Sequence, residues 1–207
     1  MVVKVCTHPL MRHKLSFLRD KSVKPKEFRE LAREISTLLA YEAMADLPLE
    51  NMPVSTPYGE TMGEQVSHQV ALVPVIRSGL GMVDGFIYAY PNAQVWHVGM
   101  YRDLKTLVPV EYYNRFTNET SCQTAYVLDP TLSCGSVARA TVGLVKQWGV
   151  TNIKLATFVA SPEGIANFEE EFPDITIVAG AIDEGLNAES MVVPGLGDVG
   201  SRFFGTQ

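Results

Sequence analysis

Five short, almost wholly apolar runs divide the second two-thirds of this 207-residue chain, with helix-periodic segments between them. VALVPVI (Val70–Ile76) is the sharpest: seven residues without a polar member, the pattern of a strand covered on both faces. Residues 94–100, 124–128, 153–160 and 175–182 supply the other four. Between them, RSGL opens a helix carrying Met82, Val83, Phe86 and Ile87, stopped by Pro91. Val137, Thr141, Leu144, Val145 and Trp148 form a second stripe, closed by Gly149. Ser161-Pro162-Glu163 reads as an N-cap, a first-turn proline and an acidic first turn. Strands alternating with helices predict an α/β fold, a Rossmann-like doubly wound, mainly parallel sheet flanked by helices. Ligands of such sheets sit beyond the carboxyl ends of the strands. The residues just past those ends are Arg77-Ser78-Gly79, Tyr101-Arg102, residues 129–137, Ser161-Pro162 and Asp183-Glu184-Gly185. Two arginines and an aspartate therefore converge.

The stretch YVLDPTLSCGSVARA (126–140) carries the strongest chemical signal. Its apolar start ends at Asp129 and Pro130, because proline has no N–H for a ladder. A loop of small hydroxyl, thiol and glycine residues follows, and a helix begins at Val137. Helix N-termini leave N–H groups without internal partners, and the dipole favours negative charge there, so such a corner is a ready anion site. An aspartate just before it would repel a phosphate but could accept hydrogen bonds from sugar hydroxyls or hold a metal's waters. A phosphorylated sugar satisfies both halves. An ordinary strand–turn–helix corner with an exposed Asp satisfies the pattern too.

The flanks are less regular. Pro9, Leu10, Lys14 and Leu18 begin a first helix. Pro25 starts a second, with Phe28, Leu31, Ile35, Leu38 and Leu39 on one stripe, so helices are expected over about 8–46. Residues 47–69 hold prolines and glycines with little periodicity and read as a loop or irregular hairpin. Residues 103–118 lack a helical stripe, but Val108, Val110 and Tyr112 alternate, as in a hairpin arm. The tail after Met191, VVPGLGDVGSRFFGTQ, has little room for secondary structure. Its formal GxGxxG (Gly195, Gly197, Gly200) lacks the strand–helix–strand unit a dinucleotide fingerprint requires. Phe203 and Phe204 would be costly to leave in water, so the tail should be an ordered loop packed near the site. The whole chain, 1–207, reads as one domain with its core sheet over about 70–182 and the C-terminal loop over 183–207.

Composition excludes some classes. A net charge of −6 argues against broad nucleic-acid binding. Mean hydropathy is +0.07, and no apolar run approaches the roughly 20 residues of a spanning helix, so no membrane partner is expected. Cys6, Cys122 and Cys134 are odd in number and widely spaced, as in a reduced, cytoplasmic protein without a zinc site. His8, His13, His68 and His97 share no metal or catalytic spacing.

The pieces PVIRSGLGM (74–82), GMYRD (99–103), LDPTLSCGS (128–136), SPEGI (161–165), IDEGLN (182–187) and VPGLGDVG (193–200), in this order, resemble the uracil phosphoribosyltransferases. The resemblance runs from His8-Pro9-Leu10 to Phe204-Gly205-Thr206. It implies a type I phosphoribosyltransferase fold and pyrimidine salvage: uracil and 5-phosphoribosyl 1-pyrophosphate (PRPP) give UMP and pyrophosphate through an oxocarbenium-like state. By that resemblance Arg77 and Arg102 hold the pyrophosphate and Asp129 the ribose hydroxyls. Pro130, Thr131, Leu132, Ser133, Cys134, Gly135, Ser136 and Val137 form the 5′-phosphate loop. Val192, Gly197 and Val199 read uracil, largely by main chain, while Asp198 faces both uracil and PRPP. Arg102, Asp129 and Asp198 are the implied catalytic residues, and residues 103–118 the cover. Mg²⁺ is implied as cofactor, held mainly by PRPP and water. A homodimer or higher homo-oligomer is implied as well, with GTP a candidate effector.

The loop departs from the family pattern. Where relatives read Ala-Thr-Gly-Gly-Ser, this chain has Ser133-Cys134-Gly135-Ser136-Val137. A thiol is a poorer donor than a hydroxyl, and losing one good hydrogen bond to a charged phosphate costs on the order of 1.5–3 kcal/mol. That departure leaves a second reading, a weakened or non-enzymatic relative that binds pyrimidine or nucleotide and regulates.

Overall fold

The apolar runs become the middle of one sheet. The computed structural model describes residues 3–103, 106, 108–117 and 120–206. In chain order its elements are β1 (Val3–Val5), α1 (Pro9–Arg19), α2 (Pro25–Met44), β2 (Leu49–Thr56), β3 (Gly59–Val66), β4 (Val70–Ile76), α3 (Leu80–Ala89), β5 (Gln94–Val95), β6 (Val98–Arg102) and β7 (Pro109–Asn114). Then come β8 (Thr124–Leu128), β9 (Thr131–Leu132), α4 (Ser136–Gln147), β10 (Asn152–Ala160), α5 (Pro162–Glu171), β11 (Thr176–Ile182), β12 (Gly185–Leu186), β13 (Val192–Val193) and α6 (Val199–Phe204).

The main sheet has the order β1-β11-β10-β8-β4-β6-β7, parallel throughout except for the antiparallel β6–β7 pair. From β4 the chain steps one way to β6, then crosses back to lay β8 on the other side of β4 and continues outward through β10 and β11. A reversal of this kind opens a crevice beyond the carboxyl ends of the two central strands. Period-two alternation feeds both faces. Val70, Leu72, Tyr126, Leu128 and Phe158 pack with α1, α2 and α3, whereas Ala71, Val73, Ala125, Val127 and Leu155 pack with α4 and α5. Each large apolar side chain buried this way contributes roughly 1.5–3 kcal/mol. Helix α2 buries Phe28, Ala32, Ile35, Leu39 and Ala43, a stripe at helical spacing. Its last turn is pinned to the sheet by the buried Lys154, whose Nζ donates to the Ala43 carbonyl (2.7 Å) and to the Asp46 carboxylate.

The structure corrects several expectations. Residues 47–69, read as a loop or irregular hairpin, contain a hairpin, and a regular antiparallel one, β2–β3, registered from Leu49↔Val66 to Thr56↔Gly59. Most of its residues are exposed on either side, so no buried face imposes an alternation to be read. The strand expected over 94–100 is two pieces: β5 pairs with Ala71 and Leu72, and β6 with Val75 and Ile76. Between them Trp96 gives its N–H to the Leu72 carbonyl (2.9 Å) and packs its ring on Trp148. The main sheet also reaches beyond 70–182, since β1 pairs with β11 at its edge. The arm over 103–118 pairs β7 with β6, while residues 104, 105, 107 and 118 lie outside the described residues. In the tail, expected to be an ordered loop with little room for secondary structure, the chain forms β13 and the short helix α6. The Asp198 carboxylate caps α6, accepting the Ser201 N–H (2.9 Å) and hydroxyl (3.0 Å).

Candidate active site

A cleft of about 500 Å³ lies at the crevice between β4 and β8. Its floor is Asp129, one residue past β8. The Asp129 N–H donates to the Ala156 carbonyl (3.2 Å), so the backbone is tied to β10 where the side chain must point. Burial pushes its carboxyl up to about 7, against the Thr131 N–H, which pulls it down.

Beyond Asp129 the chain makes the short strand β9 beside β10 and then turns into α4 through Gly135, whose φ of +82° is left-handed. That conformation suits glycine, and a Cβ there would lie 3.0 Å from the Gly164 carbonyl oxygen. The first bond internal to α4 is Arg139 N–H to Gly135 C=O. The N–H groups of Ser136, Val137 and Ala138 precede it and open toward the cleft that these residues line. Helix α5 holds the loop from behind. The Ser161 hydroxyl donates to the Ser133 carbonyl (2.7 Å), and Asn167 Nδ2 donates to the Cys134 carbonyl (3.1 Å). Gly164 permits that approach, since a Cβ there would sit 2.0 Å from the Ser133 oxygen. The SPEGI segment is therefore a brace for the loop.

Two arginines rim the cleft. Arg77, just past β4, donates to the Thr206 hydroxyl (3.1 Å) and lies over the Phe204 ring. Arg102 ends β6, and its Nη1 donates to Cys134 Sγ (3.4 Å) and to the Ser190 carbonyl (3.4 Å). Cys134 Sγ also lies 3.3 Å from the Ser136 hydroxyl. Burial pushes the Cys134 thiol up, but the Ser136 hydroxyl and N–H and the Arg102 guanidinium together bring it below the usual thiol value.

Of the residues singled out in the sequence, Arg77, Arg102, Asp129, Thr131, Leu132, Ser133, Gly135, Ser136, Val137, Val192, Gly197, Asp198 and Val199 line this one cleft. Pro130 does not: it is buried, and its carbonyl accepts the N–H groups of Phe158 (3.1 Å) and Val159 (3.3 Å), which fix the turn after Asp129. Cys134 stands behind the lining and meets it through Arg102 and Ser136. Tyr112 and Met191 also line the cleft and were not singled out as contacts. The alternation of Val108, Val110 and Tyr112 was the available signal for Tyr112.

Among the described residues no cluster of three or more His, Cys, Asp or Glu could cage a metal. The cleft instead offers two carboxylates, Asp129 and Asp198. That donor set fits a Mg²⁺ ion that keeps most of its water and enters on a substrate's phosphates. No helix among the described residues is long and apolar enough to cross a membrane.

Comparison with known proteins gives a consistent picture. Residues 5–206 match the family described as uracil phosphoribosyltransferase. A uracil phosphoribosyltransferase of Roseiflexus sp. (strain RS-1) is 47% identical over 204 residues, covering 99% of this chain and 98% of that protein. One of Finegoldia magna is 46% identical over 206 residues, covering 99% of each. The solved structure of the AQ2163 protein from Aquifex aeolicus superposes with a TM-score of 0.93 at 31% identity, covering 99% of this chain and 98% of that one.

Proposed function

Because this chain belongs to the uracil phosphoribosyltransferase family, we propose that its cleft carries out the family's reaction: uracil displaces pyrophosphate from PRPP to give UMP. One observation carries the reading: the phosphate loop, Asp129, both arginines and the tail loop all line a single cleft at the sheet's switch point. No observation favours the regulatory reading. Gly135 keeps the left-handed turn, and the Val137 and Ala138 N–H groups precede the first internal bond of α4, while the Ser136 N–H is drawn to the Cys134 thiol.

In this scheme the 5′-phosphate sits on the N–H groups of the loop from Thr131 to Val137, with the α4 dipole behind it. Pro130 has no N–H to offer and serves only to shape the turn. Asp129 accepts the ribose hydroxyls, which favours its charged form and draws its proton off as PRPP binds. As the bond from C1 to pyrophosphate breaks and the bond to uracil forms, positive charge builds on the ribose and negative charge on the leaving group. Arg77 and Arg102 meet that developing charge with fixed, planar donors. Val192, Gly197 and Val199 present main chain to the uracil edge. The chain has to orient the substrates and exclude water; uracil is itself the nucleophile and gives up its N–H proton to solvent or the departing pyrophosphate, so no protein nucleophile is required. Magnesium, when bound through PRPP and water beside Asp129 and Asp198, neutralises pyrophosphate charge.

The exposed β2–β3 hairpin supports a homodimer or higher homo-oligomer. A two-stranded ribbon outside the main sheet is marginal in water alone, and this one exposes Leu49, Tyr58 and Met62. A cytoplasmic location is proposed on the reduced-thiol pattern of the cysteines. Mixing the pure protein with uracil, PRPP and Mg²⁺ should yield UMP and pyrophosphate. Absence of UMP at any substrate level overturns the reading. The same assay with and without GTP tests the effector.

A further inference from the structure

Gly195 leads into the cleft-lining residues Leu196 and Gly197, and this segment makes its polar contacts to residues outside the cleft. Gly195 and Gly197 hold left-handed turns, φ +60° and +70°, and bury little side chain of their own. What fixes them is a fork. Arg19, the last residue of α1, donates through Nη2 to Asp183 Oδ1 (2.5 Å) and through Nη1 to both Asp183 Oδ2 (2.9 Å) and the Gly195 carbonyl (2.8 Å). Asp183 Oδ2 accepts the Gly195 N–H (2.9 Å) in return. The N–H and the C=O of Gly195, which belong to the two peptide units flanking its Cα, are thus held by one ion pair, whose aspartate side chain is only 3% exposed. The next carbonyl, Leu196, accepts from Arg202 Nη1 (2.8 Å), and Arg202 Nη2 donates to the Asp20 carbonyl (2.5 Å), again at the end of α1. The last turn of α1 is therefore the post to which the base loop is tied.

We propose that Arg19 and Asp183 are positioning residues for base recognition: they set the Gly195 peptide and, through it, the register of the main chain at 197–199 against the base. The inference rests on the uracil reading above and extends it to two residues that touch no substrate. A loop that reads a base by main chain cannot compensate with a rotamer, so a small displacement is felt directly at the base edge. Displacements of about 1 Å cost on the order of a hundredfold in well-positioned sites. A lysine keeps the charge beside Asp183 but lacks the planar fork that serves carboxylate and carbonyl together.

Arg19→Lys should raise KM for uracil about tenfold while KM for PRPP stays within about twofold and the melting temperature within a few degrees. Asp183→Asn, which keeps the shape but loses the charge and one acceptor, should give the same split. Parallel changes in both KM values that track a falling melting temperature would make the pair merely structural and overturn the proposal. So would an unchanged KM for uracil in folded Arg19→Lys, or failure of both variants to fold. If the wild-type protein makes no UMP, the uracil reading itself falls and takes this inference with it. If the wild type turns over and only the split is absent, the clamp alone is wrong.

Discussion

The two sides of the cleft are held in different ways. The side proposed to hold the sugar phosphate grows straight out of the core: β8 is buried along its whole length, Asp129 follows it directly, and β10 and α5 back the loop. The side proposed to read the base, residues 191–206, buries Val192, Leu196 and Val199 in the core, but its loop backbone is fixed by point contacts. Arg19 and Asp183 take Gly195, Arg202 takes Leu196, Arg29 takes the Phe203 carbonyl (2.9 Å), and Phe203 lies against Gly81. The first arrangement can hold a buried carboxyl at a cost to stability because the surrounding sheet over-determines it. The second can be retuned, or lost, one side chain at a time.

Asp129→Asn is the severest test of the core-built side. Two charge-assisted acceptances from ribose hydroxyls, each worth about 1.5–3 kcal/mol, should vanish, lowering kcat/KM by more than about a hundredfold. The same change should stabilise the empty protein at pH 8. Burial raises the folded pKa of Asp129 to about 7, above the usual carboxylate value. Between that usual value and about 7 the native state keeps a proton that the unfolded chain has given up. Wild-type stability is therefore highest below this window and falls as pH rises through it, by up to about 4 kcal/mol. Urea melts at pH 5 and pH 8, which sample about two pH units of that window, should show a fall of roughly 3 kcal/mol in wild type and little of it in Asp129→Asn. Equal pH slopes would place the cost elsewhere.

Arg102→Ala should come next, with kcat down about a hundredfold and KM for uracil little changed, because the charge it meets appears as pyrophosphate leaves. An unchanged kcat with a raised KM for uracil would remove Arg102 from the leaving group. Asp198→Asn probes the base side and should be milder, about tenfold in turnover with the fold intact. Asparagine still caps α6, and the residue packs no core. Unfolding of this variant at room temperature, seen by circular dichroism, would make Asp198 a structural residue instead.

The same division decides what could be read in the sequence. Strands β4 and β8 and the approach to Asp129 were legible because burial on both faces forces continuous apolar runs, whereas the small-residue corner before α4 read equally as an anion site and as an ordinary strand–turn–helix corner. Arg77 and Arg102 followed from their places just past strand ends. The clamp on the base loop was not legible. Arg19 and Asp183 are 164 residues apart, and a pair that distant leaves no periodicity. The hairpin at 49–66 was left open between a loop and an irregular hairpin for the opposite reason, since no buried face imposed a pattern. Pro130 was misassigned because its neighbours line the cleft while its own carbonyl is spent on β10.

The smallest effect expected belongs to Cys134, where the core-built side departs from its relatives. Its thiol lies below the usual value, while burial pushes those of Cys6 and Cys122 up, against the partial opposition of hydrogen bonds to His8 and Thr120. Cys134 is also the only one of the three that is not buried. It should therefore react with iodoacetamide first in the empty protein, and PRPP with Mg²⁺, or ribose 5-phosphate alone, should protect it. A phosphate in the loop blocks access and opposes a second negative charge beside Ser136 and Arg102. Cys134→Thr restores a hydroxyl donor and should lower KM for PRPP a few-fold, the equivalent of roughly 1 kcal/mol. It should leave KM for uracil alone, because the Gly195 backbone is held by Arg19 and Asp183 and not by this loop. Peptide mapping after a short alkylation pulse reads the first expectation, and initial rates with each substrate varied read the second. Labelling of Cys134 that is slow, or indifferent to the sugar phosphate, would mean that the loop does not hold phosphate. A shift in KM for uracil as large as that for PRPP would mean that Arg102, which bridges Cys134 to Ser190, couples the two sides more tightly than their separate anchoring implies.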